Sequence, residues 1–95
     1  MRITCVIWLR HIVDKLEWKH NVSTDEVEEV FRNRPRFRFI ERGRVRGEDV
    51  YAALGQTKAG RYLVVFFIRK SSDAALVISA RDMDAKERKR YGRKK

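Results

Sequence analysis

RYLVVFFIR, residues 61–69, decides the fold. An unbroken apolar run held between two arginines reads as a strand covered on both faces, and therefore as the central strand of a sheet. Lys58-Ala59-Gly60 before it and Ser71-Ser72-Asp73 after it are compact enough for hairpin turns. EDVYAALGQT (48–57) and the stretch around Leu76 to Arg81 should then flank it as antiparallel neighbours. In the later of these, Leu76, Ile78 and Ala80 share one face, and Val77, Ser79 and Arg81 share the other. Upstream of a turn region marked by Gly43 and Gly47, RFRFIER (36–42) alternates arginine with phenylalanine and gives another strand. Downstream, VISARDMDAKERKRY (77–91) leaves its strand on Ser79-Ala80-Arg81 and enters a helix, with Asp84 as cap and Glu87 as its capping-box partner.

The N-terminal third has helical spacing. ITCVIWL (3–9) reads as a short strand, after which Leu9, Ile12, Val13 and Leu16 recur at three- and four-residue intervals and predict a helix ending near Lys19-His20. Ser23 followed by Glu26 is a second capping box, Val22 and Val27 form a hydrophobic staple, and Val27, Val30 and Phe31 share a face. That helix stops before Pro35, which disfavours helix at Arg34. The expectation is a single α+β domain over residues 1–95, with two N-terminal helices, a four-stranded antiparallel meander and a C-terminal helix, all helices packed on one sheet face. The charged tail Arg93-Lys94-Lys95 is expected to fray.

Lys and Arg number 23 against 13 acids, a net charge of +10, so the expected partner is polyanionic or acidic. The single cysteine, Cys5, has no internal partner and sits among apolar residues, which suggests a buried thiol in a reducing compartment. The apolar run at residues 3–9 is too short for a signal peptide, and no segment approaches membrane-spanning length, so a soluble cytoplasmic protein is expected. His11, His20 and Cys5 lack partners at zinc-site spacing, no serine lies in a nucleophile elbow, and the glycines form no phosphate loop. No metal and no cofactor is expected.

The basic and polar groups that remain suit RNA. Cleavage through RNA's own 2′-hydroxyl needs a base, cations around the phosphate, and a proton for the leaving 5′-oxygen. Arg81, at a strand exit, has the planar fork that binds phosphate oxygens in pairs; the alternative is that it pairs with Asp82 or Asp84, or caps a helix. His20 is either an acid or base or a C-terminal helix cap, and Tyr91 either donates a proton, stacks on a base or packs on the sheet. The arginine run from 32 to 46, with Arg36, Arg38 and Arg42 in it and Phe31, Phe37 and Phe39 interleaved, forms either an RNA platform or a solvated basic strand face whose rings turn to the core.

These residues carry a resemblance. ALGQTKAGRYLVVFF (53–67) and VISARDMDAKERKRY (77–91), with KHNVS (19–23) and EEVF (28–31) upstream, resemble the BrnT toxin family, ribonuclease components of bacterial type II toxin–antitoxin modules. The resemblance spans nearly the whole chain. It implies a RelE-like fold, RNA cleavage without a metal that stops translation, and neutralisation by a separate acidic or DNA-binding antitoxin, BrnA-like, that represses the operon. By motif, the family's basic positions fall on Lys19, His20, Arg61, Arg69 and Arg81, with Ser79, Glu87 and Tyr91 beside them. On this reading Arg61 and Arg81 bind or stabilise the scissile phosphate, Lys19 or His20 assists proton transfer, and Arg69, Ser79, Arg36, Arg38, Arg42 and Tyr91 contact RNA. Leu9 after Trp8 and Asn21 after His20 depart from the family pattern, and the Trp8–His20 interval is one residue longer; Asn21 can still adopt a left-handed cap. A non-catalytic basic module that binds RNA or an acidic protein is the alternative.

Overall fold

The computed structural model describes residues 1–93, and the side chain of residue 93 and the expected fraying of Lys94 and Lys95 lie outside what it describes. The chain runs β1 (Cys5–Ile7), α1 (Arg10–Lys15) continued by a π-helical turn (Leu16–His20), α2 (Thr24–Arg32), β2 (Arg36–Glu41), β3 (Val50–Gln56), β4 (Tyr62–Ser71), β5 (Ala74–Asp82) and α3 (Ala85–Arg93). β2 to β5 form the expected antiparallel meander. The sheet is nevertheless five-stranded and mixed, in the order β1-β5-β4-β3-β2, because β1 pairs parallel with β5. A parallel pair needs a long crossover, and everything from α1 to β4 supplies it.

The expectation that every helix covers one sheet face is corrected by the two apolar clusters. Leu63, Val65 and Phe67 of β4 join Ile12, Leu16, Val27, Val30 and Phe31 in the main core beneath α1 and α2. Val64 and Phe66 join Ala52, Leu54, Met83 and Tyr91 in a second core, so α3 packs on the opposite face. This is why residues 61–69 lack alternation: both faces of β4 are buried, and each needs its own apolar set.

A second correction concerns β5. Its register slips between Phe66 and Phe67, where Ser79 and then Val77 stand opposite. The extra residue, Ile78, puts Val77 and Ala80 on the main-core side together, against the strict alternation read from the sequence. Arg81 and Ser79 stay on the α3 side. Cys5 is also exposed rather than buried, because β1 is an edge strand that turns Val6 to the core instead, with Ile3 buried just before it.

The first helix closes as a π turn, the form in which a helix absorbs one added residue. Asn21 ends it with φ 52°, the left-handed cap that its side chain tolerates. The capping box of α2 is formed: the Ser23 hydroxyl accepts from the Glu26 N–H at 3.1 Å, and the Glu26 carboxylate accepts from the Ser23 N–H at 3.1 Å.

A basic cleft beneath the C-terminal helix

Strand register builds the candidate site. Arg36 pairs with Leu54, Leu54 with Val64 and Val64 with Arg81, so the two arginines end one row that crosses four strands. The neighbouring row on the same face runs Arg38, Ala52, Phe66, Ser79. Each row thus has a cation at the β2 end, an apolar floor, and a polar group at β5. Strand spacing puts the ends of a row roughly 14 Å apart. Between β2, β3 and α3 lies a cleft of about 360 Å³, lined by Arg36, Arg38, Lys86, Arg90, Glu87 and Tyr91 among others. Lys86 and Arg90 lie four apart on α3, which places them on one helix face. The Nη1 of Arg36 is buried there with no hydrogen-bond partner.

Arg81 is held by the N-terminus of α3. Its Nη1 and Nη2 donate to Glu87 Oε1 and Oε2 at 2.7 and 2.8 Å, and Nη1 also donates to the Asp82 carbonyl at 3.1 Å. The guanidinium lies 5.5 Å from the Phe66 ring centre. Glu87 is fixed in turn by the predicted capping box, with its carboxylate accepting from the Asp84 N–H at 2.9 Å and its own N–H donating to Asp84 Oδ1 at 2.8 Å. Its hydrogen bonds from Arg81 hold the Glu87 carboxyl below the ordinary carboxylate range, against the opposing effect of burial. Tyr91 is 5 % exposed, with its ring edge-on to Tyr62 at 6.1 Å.

Asp82, the next residue, turns to the other side of the sheet and meets Arg61. Arg61 Nε donates to Asp82 Oδ1 at 2.8 Å and Nη2 to Asp82 Oδ2 at 3.2 Å. Nη1 donates to the Asn21 carbonyl at 2.7 Å and to the Glu26 carboxylate at 3.1 Å, and Nη2 to the His20 carbonyl at 3.2 Å. A guanidinium has five N–H donors, and these bonds use all of them. Arg61 therefore ties the end of the first helix, the cap of α2 and the exit of β5 into one joint. The Asp82 carboxyl is lowered, first by its hydrogen bond from Arg61 and further by the charges of Arg61 and His20.

The residues singled out in the sequence thus fall into three places. Arg36, Arg38 and Tyr91 line the cleft, Arg81 is joined to it through Glu87, which also lines it, and Ser79 lies on the same sheet face. Arg61 and His20 meet on the other side of the same sheet end, with Lys19 exposed beside them. Arg69 lies at the far end of β4, where its Nη2 donates to the Ser72 carbonyl at 2.9 Å and its Nε is buried without a partner. Arg42 is exposed just past the end of β2. Of the phenylalanines, Phe37 packs into the main core, whereas Phe39 is mostly exposed and sits edge-on to Tyr51. Lys86, Arg90 and the full part of Glu87 were not read from the sequence. The four-residue spacing of Lys86 and Arg90 was the available signal, but it looks like any solvated helix face.

Among the described residues, no group of three or more His, Cys, Asp or Glu side chains could hold a metal ion, and no helix is long and apolar enough to cross a membrane. The chain is similar to a crystal structure of the Brucella abortus ribonuclease toxin BrnT, with a TM-score of 0.61 and 23 % identity, covering 85 % of this chain and 99 % of that one. At that identity the likeness establishes the shared fold. No curated protein matches the chain. A family model described as the ribonuclease toxin BrnT of type II toxin–antitoxin systems matches residues 13–87. That span takes in both capping boxes, the Arg61 joint and the Arg81–Glu87 pair. The chain therefore belongs to the BrnT family of type II toxin–antitoxin ribonuclease toxins.

Proposed function

We propose that this chain is an endoribonuclease toxin that cuts RNA through the substrate's own 2′-hydroxyl, without a metal, at the cleft beneath α3. The observation that carries the reading is the Arg36–Leu54–Val64–Arg81 row with the cationic residues of α3 above it. Cations spaced along a channel with an apolar floor suit a phosphate backbone with bases between. Glu87 occupies the fork of Arg81 as a phosphate would, since both present two oxygens in one plane to two parallel N–H groups.

In the proposed reaction the scissile phosphate takes the place of Glu87 on the Arg81 fork. The displaced carboxylate is then the base beside the 2′-hydroxyl. Arg81 stabilises the charge that builds on the phosphate oxygens, and the attack expels the 5′-oxygen to leave a 2′,3′-cyclic phosphate. The proton for that oxygen is drawn from solvent, because His20 and Lys19, expected from the sequence to assist, lie on the other side of the sheet end from the Arg81 fork. Arg61, with every donor committed, is assigned to positioning: it holds the His20 carbonyl against the β5 exit. Arg36, Arg38, Lys86 and Arg90 bind flanking phosphates. Such cleavage would arrest translation in the cytoplasm, and a BrnA-like antitoxin would silence it.

Controlled overexpression tests the reading. Growth arrest with fragmented RNA is expected, and substitution Arg81→Ala should relieve both. Normal growth with intact RNA from a stably folded chain would instead favour a non-catalytic basic binding module.

A further inference from the structure

We propose that the free edge of β2, with the arginine-rich loop beyond it, docks an acidic segment of a protein partner that joins the sheet as an added strand; this rests on the reading of an antitoxin partner. β2 is the last strand of the sheet, paired only with β3. Among the described residues no hydrogen bond is made to its outer backbone edge. An open strand edge presents a row of amide and carbonyl groups that another strand can pair with. The opposite edge is the three-residue β1, too short to offer such a row.

The surface there is apolar as well as basic. Phe39, Ile40 and Val45 are 55 %, 39 % and 60 % exposed. Residues 34–46 hold six arginines, at 34, 36, 38, 42, 44 and 46, against the single acid Glu41. A second copy of the chain is a poor occupant, because pairing edge to edge would bring two such arginine sets together. RNA would satisfy the charge but has no amide row to offer the strand. An acidic polypeptide satisfies both. The pleat fixes its pattern: residues beside Arg36 and Arg38 face the cleft and should be acidic, while those beside Phe37 and Phe39 face the helical side and should be apolar. The bulge at Phe39/Glu41 ends regular pairing, leaving Ile40 and Val45 to meet apolar side chains past the strand. Carboxylates set beside Arg36 and Arg38 would occupy two phosphate positions, so docking and silencing become one event.

The probe is a short capped peptide of alternating Glu and Val, titrated into the isotope-labelled full chain and followed by amide NMR. Shifts are expected at residues 36–42. N-methylation of alternate peptide amides should weaken binding about tenfold or more, because it removes the strand hydrogen bonds and leaves the charge. Ile40→Glu should weaken the peptide similarly while leaving RNA cleavage by the same sample unchanged. Binding indifferent to N-methylation, or peptide shifts confined to α3, would overturn the proposal, as would oligouridylate shifting residues 36–46 where the peptide does not. Cleavage of RNA by the unsubstituted chain is a separate readout: its absence would count against the ribonuclease reading alone.

Discussion

Arg36 and Arg81 stand at the two ends of one cross-strand row, on the same sheet face, with only Leu54 and Val64 between them. Their equal placement hides unequal roles, because the Arg81 fork is filled by Glu87 whereas Arg36 has a buried Nη1 without a partner. Arg81→Lys, which keeps the charge and loses the fork, should lower kcat on a short RNA by about 10²–10³-fold. Arg36→Ala should mainly raise KM, with kcat nearly intact. Steady-state kinetics on both variants separate the two roles, and equal losses in kcat would show that the row acts as a single unit.

Arg61 should matter to the fold before it matters to RNA. Arg61→Ala strands the Glu26 and Asp82 carboxylates and the carbonyls of His20 and Asn21, and should cost about 2–3 kcal/mol in urea unfolding. Arg61→Lys, with fewer donors, should recover part of that stability and most of the activity. A lysine variant as stable as the parent but inactive would place Arg61 on the substrate instead.

Acid should loosen the sheet exit. Asp82 and Glu87 are both held below the ordinary carboxylate range by hydrogen bonds from Arg61 and Arg81. A carboxylate with a lowered folded pKa contributes its full stabilisation above the unfolded value and loses it as pH falls through the folded one. Stability should therefore be flat at neutral pH, begin to decline as pH falls into the ordinary carboxylate range, and go on falling through the lowered folded values. Asp82→Asn with Glu87→Gln should flatten that acid limb in thermal melts across a pH series.

Gly43 is predicted to resist substitution by alanine. A Cβ built there collides with the Glu48 carbonyl, and the Gly43 N–H donates to Asp49 Oδ1 at 3.0 Å, which pins the loop. Gly43→Ala should destabilise by about 1–3 kcal/mol, whereas Gly47→Ala meets no neighbouring atom and bears only the strain of its φ of 84°. Denaturant midpoints of the two variants rank them.

Local signals were legible and distant ones were not. The capping boxes at Ser23/Glu26 and Asp84/Glu87, the left-handed Asn21 and the centrality of residues 61–69 all depend on neighbours in sequence, and all formed as read. The parallel β1–β5 pair depends on closing a loop of most of the chain, and no local residue marks it. Arg81 was read as a strand-exit cation with Asp82 or Asp84 as alternative partner. Its actual partner is the capping residue Glu87, whose carboxylate serves the helix end and the arginine together. The bulge at Ile78 changed which β5 residues share a face, and nothing in VISAR announces it.

The most direct test of the central claim is the chemistry of the RNA ends. Purified chain incubated with a defined RNA in excess chelator should yield fragments ending in 2′,3′-cyclic phosphate, and Arg81→Ala, verified as folded, should lower their rate by orders of magnitude. RNA left intact under those conditions, or the same fragments at an unchanged rate from the Arg81→Ala variant, would contradict the account.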